Sequence, residues 1–176
     1  MQFEDFLKTD EIILRAVEPS DVEILYEWEN NTKIWSVSST LTPYSKKALI
    51  DYIESAQFDI YTCKQLRLMI ELRSSRQTVG TIDLYDFDAH NRRAGIGMFV
   101  AEEFQNQKIA TKALDCLLKY CKSMLLLHQV YVDVPQNNVA SLQLFQNAGF
   151  KSIGTKKDWI LCDETFVDVV VMQKIF

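Results

Sequence analysis

From Arg92 to Ala113 the chain reads RRAGIGMFVAEEFQNQKIATKA. Ile96, Met98, Phe99 and Val100 give an apolar strand, Gln105 to Lys108 a short polar loop, and Ile109, Ala110 and Thr111 the immediate opening of a helix. A strand that feeds a helix through so short a loop fits the mixed sheet flanked by helices that the whole element order gives. It also makes an anion trap. The first turn of a helix leaves backbone N–H groups unpaired and carries a partial positive charge, so a phosphate-bearing ligand suits it.

The rest of the chain agrees with that class. Its 176 residues are 48% hydrophobic, enough for one compact domain spanning residues 1–176. A net charge of −5 argues weakly against a nucleic-acid partner, whose binders carry a basic face; it reads first as ordinary solubility, with attraction of a cationic substrate as the other reading. Cys63, Cys116, Cys121 and Cys162 form no CxxC pair and have no histidine at ligand spacing, so they read as reduced thiols rather than metal ligands. No leader-like segment and no apolar run of membrane length is present, which points to the cytoplasm and away from membranes.

Periodicity supplies the remaining elements. Glu11 to Val17 reads as a strand, and Ser20 to Glu23 as a capping box for a helix carrying Val22, Leu25, Tyr26 and Trp28. Thr42 and Pro43 open a second helix, continued by Ala48, Leu49, Tyr52 and Ile53. Alternation over Leu66 to Leu72 and Val79 to Phe87, with a turn between, gives an antiparallel hairpin. A turn at Asp88 to Asn91 precedes a strand to Ala101, and a long helix covers Lys108 to Ser123. A strand over Gln129 to Val134 follows, then a short helix stopped by Gly149 and two final strands, Phe150 to Leu161 and Phe166 to Ile175. The order β-α-α-β-β-β-α-β-α-β-β predicts a mixed α/β (α+β) fold.

That order, with three segments, resembles the GNAT family of acyl-CoA-dependent N-acetyltransferases over nearly the whole chain. Within it the similarity is to spermidine N-acetyltransferases and ribosomal-protein alanine N-acetyltransferases. The segments are GTIDLYDFDAHNRRAGIGMFV, EEFQNQKIATKAL in place of the family's Q/R-x-x-G-x-G/A loop, and Asn138 to Phe150 in place of N-x-x-S-x-x-L-Y-x-x-x-G-F. The resemblance implies a largely antiparallel central sheet with one splayed parallel strand pair, and transfer of acetyl from acetyl-CoA to a primary amine by direct attack, without a metal. Pantetheine would lie along Met98, Phe99 and Val100, and the phosphates on Gln105, Asn106, Gln107, Lys108, Ile109, Ala110 and Thr111. A strand N–H near Met98 would stabilise the developing oxyanion. The acceptor implied is a polyamine or a protein N-terminal amine.

Several positions depart from the family pattern. Asn106 and Lys108 stand where glycines are usual; Asn tolerates the left-handed region, whereas Lys108 fits if its backbone stays helical. Phe145 replaces a tyrosine able to protonate the departing thiolate, and reads as packing beside the pantetheine. Gly95 replaces a glutamate on the face that meets the amine. Asp83 matches an acidic position of the spermidine-acetylating relatives and would orient an ammonium or relay its proton; a solvated strand carboxylate is the other reading. Tyr85 shares its strand face, and Glu29, with Glu27, Asn30 and Asn31, ends the first helix where the acceptor pocket forms. Trp28, Trp35 and Tyr44 either wall that pocket or pack in the core. Asn138 serves as a cofactor contact or a helix N-cap. His128 reads as structural. The departures leave open a non-catalytic CoA-binding or regulatory module. An exposed C-terminal strand, with analogy to such folds, points to a homodimer or higher homo-oligomer.

Overall fold

The computed structural model describes residues 6–33, 35, 40–55, 59–162 and 164–176. Alternating segments form strands β1 (Ile12–Ala16), β2 (Leu66–Leu72), β3 (Thr78–Asp88), β4 (Arg93–Val100), β5 (Gln129–Pro135), β6 (Lys151–Cys162) and β7 (Thr165–Ile175). Segments of helical period form α1 (Val22–Glu29), α2 (Lys46–Ser55), α4 (Ile109–Ser123) and α5 (Val139–Asn147). A single turn, α3 (Ile60–Cys63), was not expected; the Asp59 carboxylate starts it by accepting from the N–H groups of Tyr61 and Thr62. The strands form one seven-stranded sheet in the order β1-β2-β3-β4-β5-β7-β6, antiparallel at every step except β4–β5. This is the mixed sheet that the element order predicts, largely antiparallel as the family resemblance implies.

Both faces of the sheet are covered, and that decides where the site lies. On one face Leu68, Ile70, Ile82, Leu84, Ala94 and Ile96 pack under Ala113, Leu114, Leu117 and Cys121 of α4. On the other, Met69 packs against Leu25 of α1 and Leu49 and Ile53 of α2. The alternation in β2 suggests one wet face, yet Met69, Ile70 and Glu71 are all buried because helices lie on both sides. Cys116 and Cys121 are buried thiols in α4, and burial pushes Cys121 up to about 12.

Three local expectations are corrected. The entrance to α1 is fixed a turn before Ser20: Pro19–Asp21 form a 3-10 turn, and Asp21 Oδ2 accepts from Glu18 N at 2.8 Å. Arg15 of β1 grips the same carboxylate through both terminal nitrogens at 2.8 Å, so the tertiary ion pair sets the cap. The second helix begins at Lys46 rather than Pro43, because the Ser45 hydroxyl accepts from Ala48 N at 3.1 Å. The C-terminal strand is no exposed edge, since β7 lies between β5 and β6 and the edge is β6.

Candidate active site

The site begins where β4 ends. After Val100 a 3-10 turn, Glu102–Phe104, lifts the chain into the polar loop before α4. Two glutamine side chains brace that loop: Gln105 Nε2 donates to the Val100 carbonyl and Gln107 Nε2 to the Glu103 carbonyl, each at 3.0 Å. Asn106 and Lys108 hold φ of +60° and +61°. Among the described residues, no acceptor meets the backbone N–H groups of residues 106–111; the first bond back into the loop is Lys112 N to Lys108 O at 3.1 Å. A row of free donors at the start of a fifteen-residue helix is an anion cradle.

Lys108 does not stay helical, as its fit to the loop was expected to require. It takes the left-handed conformation that a glycine would take, as the N-cap of α4 with no side-chain capping bond. The backbone requirement of the loop is met, at a steric cost of about 1–2 kcal/mol for a residue with a Cβ. Part of that is recovered when the Cβ is removed, against the greater freedom of glycine in the unfolded chain. Lys108→Gly is expected to raise stability by about 1 kcal/mol in urea denaturation. A loss of stability would show that the lysine side chain holds the loop.

Next to the cradle the sheet opens. β4 and β5 are paired only at Arg93 with Gln129, Ala94 with Val130 and Gly95 with Tyr131; beyond Gly95 the parallel strands part. Met98 and Val100 point their side chains to the α4 face, and Phe99 points the other way, its ring 5.1 Å from that of Trp28. Trp28 thus joins the packing of the α1 layer. Phe145 is buried, edge-on to Phe150 at 5.1 Å. Asn138 caps α5, its side-chain oxygen accepting from Ser141 N at 3.1 Å.

On the α1/α2 face the carboxylates are already engaged. Asp83 is gripped by Arg67 through Nε at 2.9 Å and Nη2 at 3.0 Å, while Arg67 Nη1 donates to Glu29 Oε1 at 2.6 Å. The guanidinium also lies 5.4 Å from the Tyr52 ring centroid. Burial pushes the Asp83 carboxyl up against the pull of Arg67, and pushes the Tyr52 hydroxyl up to about 12. Alternation along β2 does not reveal Arg67, which reads there as the solvated neighbour of Leu66 and Leu68. Trp35 Nε1 donates to the Glu29 carbonyl at 2.8 Å, fixing the end of α1, whereas Tyr44 is exposed.

Tyr85 explains the glycine at 95. A Cβ at Gly95 would fall 2.3 Å from Tyr85 Cε2, so this ring occupies the space over the strand. Tyr85 in turn lies edge-on to Tyr131 at 5.8 Å. Burial, then the charge of Asp86, pushes the Tyr131 hydroxyl up to about 12.

Comparison with known proteins agrees with this geometry. The acetyltransferase (GNAT) domain family matches residues 11–151. The N-acetyltransferase YoaA of Bacillus subtilis is 25% identical over 165 residues, covering 94% of this chain and 93% of YoaA. A spermidine N(1)-acetyltransferase of Vibrio cholerae is 23% identical over 159 residues, 90% of each chain. Among solved structures, spermidine N-acetyltransferase from Vibrio cholerae in complex with CoA and spermine shares the fold, with a TM-score of 0.86 at 22% identity over 95% of this chain and 96% of that one. With the family spanning β1 to the start of β6, this chain belongs to the GNAT acetyltransferases.

Proposed function

We propose that this acetyl-CoA-dependent N-acetyltransferase acetylates a primary amine carried by a small polycation, with a protein N-terminal amine as the alternative acceptor. The reading rests on one observation above all: the unpaired N–H groups of residues 106–111 open directly beside the parted strands β4 and β5. Diphosphate oxygens fit the first feature and an extended pantetheine amide arm fits the second, pairing with a strand edge that lacks a neighbour. The arm then runs from the cradle back towards Gly95, where the strands meet, and brings the thioester to the α1/α2 face. An amine arriving there attacks the carbonyl directly; the C–N bond forms, the C–S bond breaks and CoA leaves as thiolate. In this reading a backbone N–H on β4 near Met98 stabilises the developing oxyanion.

Phe145 has no proton for the thiolate. A thiol pKa of roughly 8.5 makes that leaving group good enough to depart to solvent. The small-cation acceptor is supported by the excess of acidic residues and by the spermidine-acetylating relatives. Calorimetric titration with CoA is expected to show one saturable site, and thiol release from acetyl-CoA is expected with spermidine or spermine. CoA binding without thiol release across a broad amine panel would mark a regulatory module instead, and absence of CoA binding would reject both readings.

A further inference from the structure

The sheet's pairing places a second carboxylate at the point where β4 and β5 part. Asp83 pairs across β3–β4 with Gly97, and the last β4–β5 pair is Gly95 with Tyr131. Two residues further along come Gly97 on β4 and Asp133 on β5, past the last paired residues. Gly97 has no side chain, and an added Cβ would meet Asp83 Cβ at 3.7 Å, Asp83 Oδ2 at 3.8 Å and Tyr85 Cδ1 at 4.0 Å. The Tyr85 ring therefore stands over Gly95 and beside Gly97, between the two carboxylates. Asp133 shares the face of Tyr131, and so of Tyr85, whose hydroxyl reaches the Asp133 backbone.

The two carboxylates differ in what they have left to offer. Both oxygens of Asp83 are bonded to Arg67. Asp133 has one oxygen engaged, with Lys156 Nζ of β6 at 2.5 Å from Oδ2; its Oδ1 is buried and, among the described residues, has no hydrogen-bond partner. An uncompensated buried carboxylate oxygen is costly, and it asks for a donor. Lys156 Nζ also lies 5.0 Å from the Trp159 ring centroid, so an alkylammonium is already held there by a carboxylate and an aromatic face.

We infer that Asp133, rather than Asp83, is the carboxylate that receives the acceptor amine, and that Lys156 holds the place of a substrate ammonium beside it. The inference rests on the acetyl-transfer reading above and names the acceptor site within it. Asp133 Oδ1 accepts a hydrogen bond from the attacking nitrogen, and the proton lost as the amide forms passes through that carboxylate to water. A polycationic acceptor supplies a second ammonium that competes with Lys156 for Oδ2 and Trp159. Asp83, held by Arg67, and the Tyr85 ring then form the fixed wall of the site.

Steady-state kinetics with acetyl-CoA and spermidine or spermine separate the roles. Asp133→Asn is expected to lower kcat about 100-fold or more while calorimetric CoA affinity stays within about twofold. Lys156→Met is expected to lower the acceptor KM about two- to fivefold with kcat retained, since the competing ammonium is gone. Folding of each variant is read from its retained CoA binding. Asp133→Asn with kcat within about threefold of the parent, or a raised acceptor KM in Lys156→Met, would overturn the assignment. A parent protein that binds no CoA would instead overturn the reading on which it rests.

Discussion

Arg67→Met is expected to destabilise the protein by about 3–5 kcal/mol in urea denaturation at neutral pH. The side chain is 17% exposed, and its partners Asp83 and Glu29 are 16% and 21% exposed, so the ion pairs are shielded from water. Removing the cation leaves two carboxylates in that shielded space, which costs more than the loss of the attraction alone. Methionine fills much of the volume, so packing loss is a minor part of the effect. The deficit should depend on pH with a definite sign. Burial already raises the Asp83 carboxyl in the folded state, and losing Arg67 raises it further. A raised carboxyl binds its proton more tightly in the folded than in the unfolded chain, so stability falls as pH rises through that range. The difference between variant and parent should therefore shrink on acidification. A deficit below about 1 kcal/mol at pH 7 would mean that water already screens the cluster.

The same triad shows which parts of the molecule can be read along one chain. The strand, loop and helix from β4 into α4 are legible because each is a local pattern: alternation, a polar break, then a 3.6-residue period. The Asn138 to Gly149 helix is legible for the same reason, down to Gly149, whose φ is +88°. The Arg67–Asp83 pair lies opposite in a hairpin that the alternation does reveal, but its register depends on a bulge between Ile70 and Glu71. One residue of slip exchanges the faces, so alternation alone does not say which polar side chains meet. Glu29 joins them only through the placement of α1 on the sheet.

Other features have no local signal at all. Lys108 reads as a departure because its residue type is wrong for a glycine position, yet its backbone takes the glycine conformation. Residue type gives a preference for φ, and the surrounding loop overrides it. Asp133 sits in an ordinary β-rich run, and nothing in that run marks its side-chain oxygen as unpartnered among the described residues. The expected edge at the C-terminus failed for a related reason. β7 is last in sequence but sixth in the sheet, a swap of order with β6 that hairpin patterning does not reveal.

Gly80→Ala is expected to cost about 3 kcal/mol and to weaken CoA binding about tenfold. Gly80 pairs with Val100, and a Cβ there would lie 2.2 Å from the Phe99 carbonyl oxygen and 3.0 Å from the Val100 Cα. Those atoms belong to backbone, so no rotamer change relieves the contact and β4 itself must move. The strand is held on that side by Ala101 N donating to the Val79 carbonyl at 2.9 Å. Any shift therefore strains the hairpin and displaces the Met98 to Val100 edge that borders the opening. The damage should appear in both urea denaturation and CoA titration, because one strand serves the core and the ligand together. Gly154→Ala on β6 is the matched comparison: nothing lies within 4 Å of its added Cβ, and stability should stay within about 0.5 kcal/mol. If the two variants behaved alike, close approach of β3 to β4 would not be what requires the glycine at 80.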